Sequence, residues 1–143
     1  KELDAFFNVQ LHNYVTKLNI EAATLAELVT SHIIPAVLRQ QTELAQNVAA
    51  LKAIGLDDAV GMQKDTLKRM VKNLADVKEG LEKMEKAIEK AHHADGVREE
   101  AEILCKKVKP QMEAIREAVD DLEGVVDDQY WPLVKYRELL RVQ

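Results

Sequence analysis

Hydrophobic residues recur along this chain at alternating steps of three and four, the spacing that places side chains on one stripe of an α-helix. The clearest stripe is Leu67, Met70, Leu74, Val77, Leu81, Met84, Ile88 and Ala91. It predicts a helix that begins at about Asp57 or Asp65 and ends at Ala91, with Asp65 a good N-cap for the later start. Gly80 lies inside the pattern and costs about 1 kcal/mol relative to alanine, which we expect the stripe to outweigh.

The same spacing predicts an earlier helix over residues 3–54. Its stripe is Leu11, Val15, Leu18, Ala22, Leu25, Val29 and Ile33. Pro35 predicts a kink in this helix, because proline has no N–H and its ring clashes with the carbonyl oxygen of Ser31. The hydrophobic pattern resumes after the proline with Val37, Leu44, Val48 and Leu51. Gly55 is a suitable C-terminal cap.

A third helix is predicted over residues 96–126, after a break at residues 92–96. Its stripe is Val97, Ala101, Leu104, Val108, Met112, Ile115, Val119, Leu122 and Val126. One step of four follows another at Val108 to Met112 and brackets Pro110, which predicts a local bend. The short connection makes the second and third helices antiparallel neighbours.

The end of the chain differs from the rest, because it holds Trp131 and two of the three tyrosines. Pro132 could occupy the first turn of a short final helix over residues 132–140. We expect this aromatic cluster to pack across the end of the bundle. A docking surface for another domain is the alternative.

The composition agrees with helices and a single domain over residues 1–143. The chain is 47% hydrophobic and 31% charged, with five glycines and three prolines, which is typical of long helices rather than sheets. The predicted fold is therefore all-α: an antiparallel bundle of three long helices, the first kinked at Pro35, plus a short C-terminal helix.

Charge and cysteine content narrow the classes of partner. The net charge is −5, with acidic and basic residues interspersed, which argues against nucleic-acid binding. No apolar stretch approaches the roughly 18 residues that span a bilayer, so we expect no membrane partner. The single cysteine, Cys105, excludes an intramolecular disulfide and fits the reducing cytoplasm. The chain begins with Lys1 rather than Met, and we expect it to be a piece of a longer protein.

Few residues suggest chemistry. Glu89 and His92 have the i, i+3 spacing of di-iron bundles, but a second Glu-x-x-His is missing, so we expect no metal there. His12 and His32 each lack a partner at ligand spacing. Cys105 lies one position off the core stripe, and we expect a semi-buried structural thiol. We predict no catalytic, cofactor-binding or metal-binding residue in this chain.

Two separated segments carry a resemblance to a known family. Residues 11–22 read LHNYVTKLNIEA and are followed by IIPAVL at residues 33–38. Near the other end, DQYWPL at residues 128–133 precedes YRELL at residues 136–140. In order and approximate separation, these segments resemble the C-terminal region of type III glutamine synthetases. The middle of the chain matches mainly as amphipathic helix.

The resemblance implies a parent enzyme that joins ammonia to glutamate with ATP and a divalent metal, magnesium or manganese. The family's catalytic motifs lie upstream of this region, so the resemblance assigns no catalytic residue here. It implies a helical C-terminal domain in a large cytoplasmic homo-oligomer. Its partners would be the upstream catalytic domain and neighbouring subunits, and its role would be to support the assembly or the catalytic domain.

The alternative comes from a different functional class. The same stripes could belong to a stand-alone helical interaction module or coiled-coil scaffold, because a hydrophobic seam can be covered within one chain or between chains. The length and motifs of the full open reading frame would distinguish the two readings.

Overall fold

All regular secondary structure in the described part of the chain is helical. The computed structural model describes residues 1–135. Its α-helices are α1 (Glu2–Leu28), α2 (Ile34–Ala53), α3 (Gly61–His92), α4 (Val97–Ile103) and α5 (Lys109–Glu123). Residues 1–135 contain no strand, so the all-α prediction is confirmed.

A π-helical turn, Val29–Ile33, lies between α1 and α2, just before the position where a kink at Pro35 was predicted. The N–H of Ile34 donates to the carbonyl oxygen of Val29, five residues earlier. A π turn is wider than an α-turn, so it accommodates a residue that has no N–H to donate and a ring that crowds the preceding turn. The helical conformation therefore continues past the proline.

A π turn also lies where a bend was predicted near Pro110. A second π turn, Leu104–Val108, joins α4 to α5 and ends two residues before the proline, just as the first one does. The N–H of Lys109 donates to the carbonyl oxygen of Leu104. Both internal prolines are thus accommodated by a π turn placed immediately before them.

The predicted cap at Gly55 is confirmed by its backbone geometry. Gly55 has φ +84°, the left-handed conformation that favours glycine. Its N–H donates to the carbonyl oxygen of Lys52 at 3.0 Å, and the N–H of Leu56 donates to that of Leu51 at 2.9 Å. These two bonds form a Schellman motif that satisfies the last carbonyl groups of α2.

The start of α3 lies between the two predicted positions. Asp57–Ala59 forms a 3₁₀ turn, and α3 begins at Gly61, so Asp65 lies inside the helix. The N–H of Lys64 donates to the carbonyl oxygen of Val60 at 3.1 Å. Val60 is buried. The helix thus begins directly after a buried residue, and Asp65 does not act as its N-cap.

The C-terminal predictions are partly wrong. Helix α5 ends at Glu123 rather than at residue 126. Residues 132–135 are not helical, and residues 136–140 of the predicted final helix lie outside the described residues. The Lys135 ammonium donates to the carbonyl oxygen of Val126 and lies 2.8 Å from a carboxylate oxygen of Asp128. These contacts hold the chain in a turn where a helix was predicted.

Contacts within the chain group into two compact units. The first unit comprises Lys1–Glu27 and Val77–Glu117; the second comprises Leu28–Asp76 and, of the described residues, 118–135. The core of the first unit includes Val15, Leu18, Ala22, Met84, Leu104, Val108, Met112 and Ile115. The core of the second includes Val29, Ile33, Val37, Val60, Met70, Val119, Leu122 and Trp131. Every buried residue in these two lists except Val60 and Trp131 belongs to a predicted stripe or, in the case of Val37, to its continuation after Pro35. The prediction of a single domain over residues 1–143 stays a prediction.

Gly80 has a packing role that the sequence did not reveal. It is buried in the first unit, and a Cβ atom built on it would lie 2.7 Å from Cγ1 of Ile115. That separation is too short for any real Cβ contact, so only glycine allows this approach of α3 to α5.

Candidate functional site

The histidines and acidic residues singled out in the sequence do not converge. His12, His32, Glu89 and His92 are all exposed. His92 places Nδ1 3.8 Å from a carboxylate oxygen of Glu100. Within residues 1–135, no group of three or more His, Cys, Asp or Glu side chains is arranged to hold a metal ion.

Cys105 is exposed, so the prediction of a semi-buried thiol is wrong. It lies in the second π turn, where Leu104 and Val108 take the buried positions. Burial raises the pKa of the Tyr14 hydroxyl, and interaction with the Cys105 thiol raises it further.

A polar cluster ties α3 to α5 in the second unit. Nε of Arg69 donates to Oδ2 of Asp121 at 2.8 Å, and the second guanidinium nitrogen pairs with Oδ1. The buried amide of Asn73 donates to the same carboxylate. The hydrogen bond from Arg69 is the main cause that lowers the pKa of Asp121 to about 2, against the opposing effect of desolvation. This cluster joins α3 to α5 by hydrogen bonds and an ion pair, and it has a structural role.

The turn after α5 is attached to α2 by side-chain hydrogen bonds. The Tyr130 hydroxyl donates to a carboxylate oxygen of Glu43, which raises the pKa of Tyr130. The N–H of Asp127 donates to Oε1 of Gln40 at 2.9 Å. Trp131 is buried, and its indole N–H has no partner among the described residues. The burial of Trp131 supports packing of the aromatic cluster, whereas Tyr136 lies outside the described residues.

The beginning of α1 carries an apolar surface that nothing in residues 1–135 covers. We call it the N-terminal face; it comprises Leu3, Phe6, Phe7 and Val9, with exposed fractions of 80%, 63%, 51% and 55%. Leu3 and Phe7 extend the α1 stripe in steps of four toward Leu11, which is half-buried. The hydrophobic stripe of α1 therefore begins before the first residue that packs against the rest of the chain. The three-and-four spacing of these residues is the sequence signal for this face, which lies before the predicted stripe that starts at Leu11.

By length and composition, the helical stretch Glu2–Ala53 could also cross a membrane. It contains an 18-residue window with a mean hydropathy of 1.3, of which 28% is buried. Core helices of soluble proteins meet the same test, so this is weak support for a membrane role.

Comparison with known proteins gives a consistent result along the chain. The family described as Glutamine synthetase C-terminal domain matches residues 1–52. A glutamine synthetase of Bacteroides fragilis (strain YCH46) is 32% identical over 143 residues, covering 97% of this chain and 20% of that protein. The Type-3 glutamine synthetase of Dictyostelium discoideum is 27% identical over 143 residues, with the same coverage of both chains. No solved structure matches the chain.

A third relative, a glutamine synthetase of Butyrivibrio fibrisolvens, is 21% identical over 140 residues, covering 98% of this chain and 20% of that protein. The chain thus spans about a fifth of the length of the curated relatives that it matches. The resemblance found in residues 11–38 and 128–140 is confirmed, and the chain belongs to the glutamine synthetase C-terminal domain family.

Proposed function

We propose that this chain is the non-catalytic C-terminal domain of a type III glutamine synthetase and that it supports the catalytic part of that enzyme. The parent would ligate ammonia to glutamate at the expense of ATP in the cytoplasm as a homo-oligomer. ATP and its magnesium or manganese ions would bind in the remaining four fifths of the parent. Support for this reading comes from the relatives, which match almost all of this chain and are five times as long.

The N-terminal face is the observation that carries the supporting role. Residues 1–10 are all exposed, although residues 2–10 are helical. Residues 2–10 are the first turns of the 27-residue helix α1, and helices in proteins gain most of their stability from packing against a neighbour. Exposure of four large apolar side chains on it adds an unfavourable apolar surface.

The occupant that we propose for this face is the catalytic part of the same parent. A surface at the start of the domain is the one nearest in sequence to residues that would precede Lys1 in the parent. Contact there would fix the domain against the catalytic part and, through it, against neighbouring subunits.

The test is ATP-dependent glutamine formation by the parent with and without residues 1–143, together with light scattering on both proteins. We expect the full parent to be active and the truncated parent to lose its assembly, its activity, or both. A parent with no glutamine-forming activity would overturn the family-based function and favour an interaction module. A truncated parent with unchanged activity and mass would overturn the supporting role alone.

A further inference from the structure

A groove in the first unit concentrates positive charge in an otherwise acidic chain. It has a volume of about 850 Å³ and lies between the last turns of α3 and the segment from α4 to the start of α5. Lys83, Lys86 and Lys90 line it from α3, and Lys107 lines it from the second π turn. We call these four side chains the lysine groove. The formal net charge of the whole chain is −5, so a groove lined by four lysines and one acidic residue has the opposite charge balance.

Among the described residues, three of the four ammonium groups form no ion pair with a carboxylate. Lys83 lies 2.5 Å from a carboxylate oxygen of Glu79, whereas Lys86, Lys90 and Lys107 make no ion pair within residues 1–135. The groove has one acidic lining residue, Glu99, which accepts a hydrogen bond from the N–H of Asp95 at 3.0 Å. Unpaired like charges repel each other, and a bound anion would relieve that repulsion.

The arrangement suits a small anion with several charges. Lys83, Lys86 and Lys90 are spaced by three and four residues, so they form one row about 10 Å long on α3. Lysine binds phosphate as a point charge and imposes no planar geometry on it. Lys107 reaches the row from the opposite wall of the groove. Phosphoryl groups placed along the row would therefore meet ammonium groups from both sides.

Apolar side chains complete the lining. Ala87, Ala94 and Ile103 lie among the lysines, and His93 follows α3 at one end of the groove. The volume falls within the range of about 300–1,000 Å³ that is typical of sites for small molecules. An apolar wall next to an ammonium row favours an organic phosphate over inorganic phosphate, because a carbon-containing group can be buried beside the charges.

We propose that the lysine groove binds a small organic phosphate that carries two or more phosphoryl groups. This inference is independent of the proposed role in the parent enzyme, because every residue of the groove belongs to residues 83–111. The second π turn gives it a local structural basis, since that turn holds Lys107 on the groove side while Leu104 and Val108 remain in the core.

The test is calorimetric titration of the 143-residue chain with ADP and with pyrophosphate, in a buffer without divalent ions at low and physiological salt. We expect saturable binding of ADP that weakens as salt rises, because the contacts are electrostatic. ADP should bind more tightly than pyrophosphate, since both carry two phosphoryl groups and only ADP can use the apolar wall. Equal or weaker binding of ADP would overturn the assignment of an organic ligand.

The matched variants carry the same change of charge on the same helix. Lys86→Gln combined with Lys90→Gln removes two groove lysines, while Lys64→Gln combined with Lys68→Gln removes two exposed lysines elsewhere on α3. The groove variant should bind ADP at least about tenfold more weakly, and the control should bind like the unmodified chain. Far-UV circular dichroism of each variant verifies that the helices are retained.

Three results would overturn the proposal. The first is the absence of saturable ADP binding by the unmodified chain at low salt. The second is an equal loss of affinity in the groove and control variants, which would indicate a non-specific effect of net charge. The third is tighter binding of a glutamate-rich peptide than of ADP, with the same sensitivity to Lys86 and Lys90, which would assign the groove to an acidic protein segment.

Discussion

The two compact units of this chain both have an apolar core, but they differ in the contacts that join distant parts of the sequence. In the first unit, helices approach closely through apolar packing, and the contact between Gly80 and Ile115 leaves no room for a methyl group. In the second unit, side-chain hydrogen bonds join residues that are 16 to 87 positions apart, including the pair Arg69 and Asp121. We therefore expect stability of the first unit to depend on side-chain volume and that of the second to depend also on pH.

The largest expected effect comes from the core of the first unit. Ile115 is fully buried, so Ile115→Ala should lower the free energy of unfolding by about 3 kcal/mol through lost apolar burial and a residual cavity. Urea unfolding measures the total effect, and hydrogen exchange of peptides from residues 77–117 locates it. Glu113→Ala, at an exposed position of the same helix, is the control and should change little.

A second change in the same contact sharpens this prediction. Gly80→Ala should destabilise the chain by about 1 kcal/mol, because overpacking against Ile115 exceeds the gain in helix propensity. In the Ile115→Ala background the clash is gone, and the same change should instead stabilise α3. Gly61→Ala, with nothing within 4 Å of the added Cβ, is the control. Destabilisation by Gly80→Ala in both backgrounds would contradict the proposed contact.

An intermediate effect is expected from the polar cluster of the second unit. Asp121→Asn should cost about 1 kcal/mol at pH 7, a value reduced for solvent screening because the Asp121 side chain is 36% exposed. The folded-state pKa of Asp121, about 2, lies below the ordinary value of 3.8. The stabilisation should therefore be complete above about pH 5 and disappear as the pH falls toward 2.

The measurement is urea unfolding of the unmodified chain and Asp121→Asn at several pH values from 7 to 2. Asp120→Asn makes the same change of charge at the adjacent, exposed position and should have little effect. If the difference in unfolding free energy between Asp121→Asn and the unmodified chain is as large at pH 2 as at pH 7, the Asp121 charge does not stabilise the fold.

The smallest effect is expected from the two tyrosine hydroxyls. Tyr130→Phe removes a hydrogen bond to the Glu43 carboxylate, whereas Tyr14→Phe removes an interaction with the Cys105 thiol. A hydrogen bond to a charged acceptor is stronger than an interaction with a neutral thiol. The thermal midpoint should fall slightly for Tyr130→Phe and less for Tyr14→Phe. A larger fall in the thermal midpoint for Tyr14→Phe would contradict the greater role of polar contacts in the second unit.

Hydrophobic spacing predicted most of the fold because it reports directly which side of a helix is covered. Every residue of the α3 stripe from Leu67 to Ala91 is buried or half-buried, and Gly55 has the predicted left-handed conformation. Pro35 and Pro110 also predicted where the helices depart from α geometry. Which departure occurs depends on neighbouring packing, so the π turns could not be foreseen from the prolines alone.

Hydrophobic spacing does not predict which residues distant in sequence come into contact. Nothing near Asp121 in the sequence indicates Arg69 or Asn73 as its partners, and the cost assigned to Gly80 as a helix interior residue concealed its packing role. The final helix was predicted from Pro132, while the fold of residues 132–135 depends on Lys135 and its contacts. The lysine groove likewise requires α3 and the second π turn to be side by side.

The central claim is that the N-terminal face supports the catalytic part of a glutamine synthetase. The most direct test is light scattering and glutamine formation by the parent carrying Leu3→Ala with Phe6→Ala, numbered as in this chain. The control parent carries Met62→Ala with Val71→Ala, which removes two exposed apolar side chains elsewhere. We predict a loss of assembly or activity for the face variant alone. Unchanged mass and activity in the face variant, or equal losses in both, would contradict the claim.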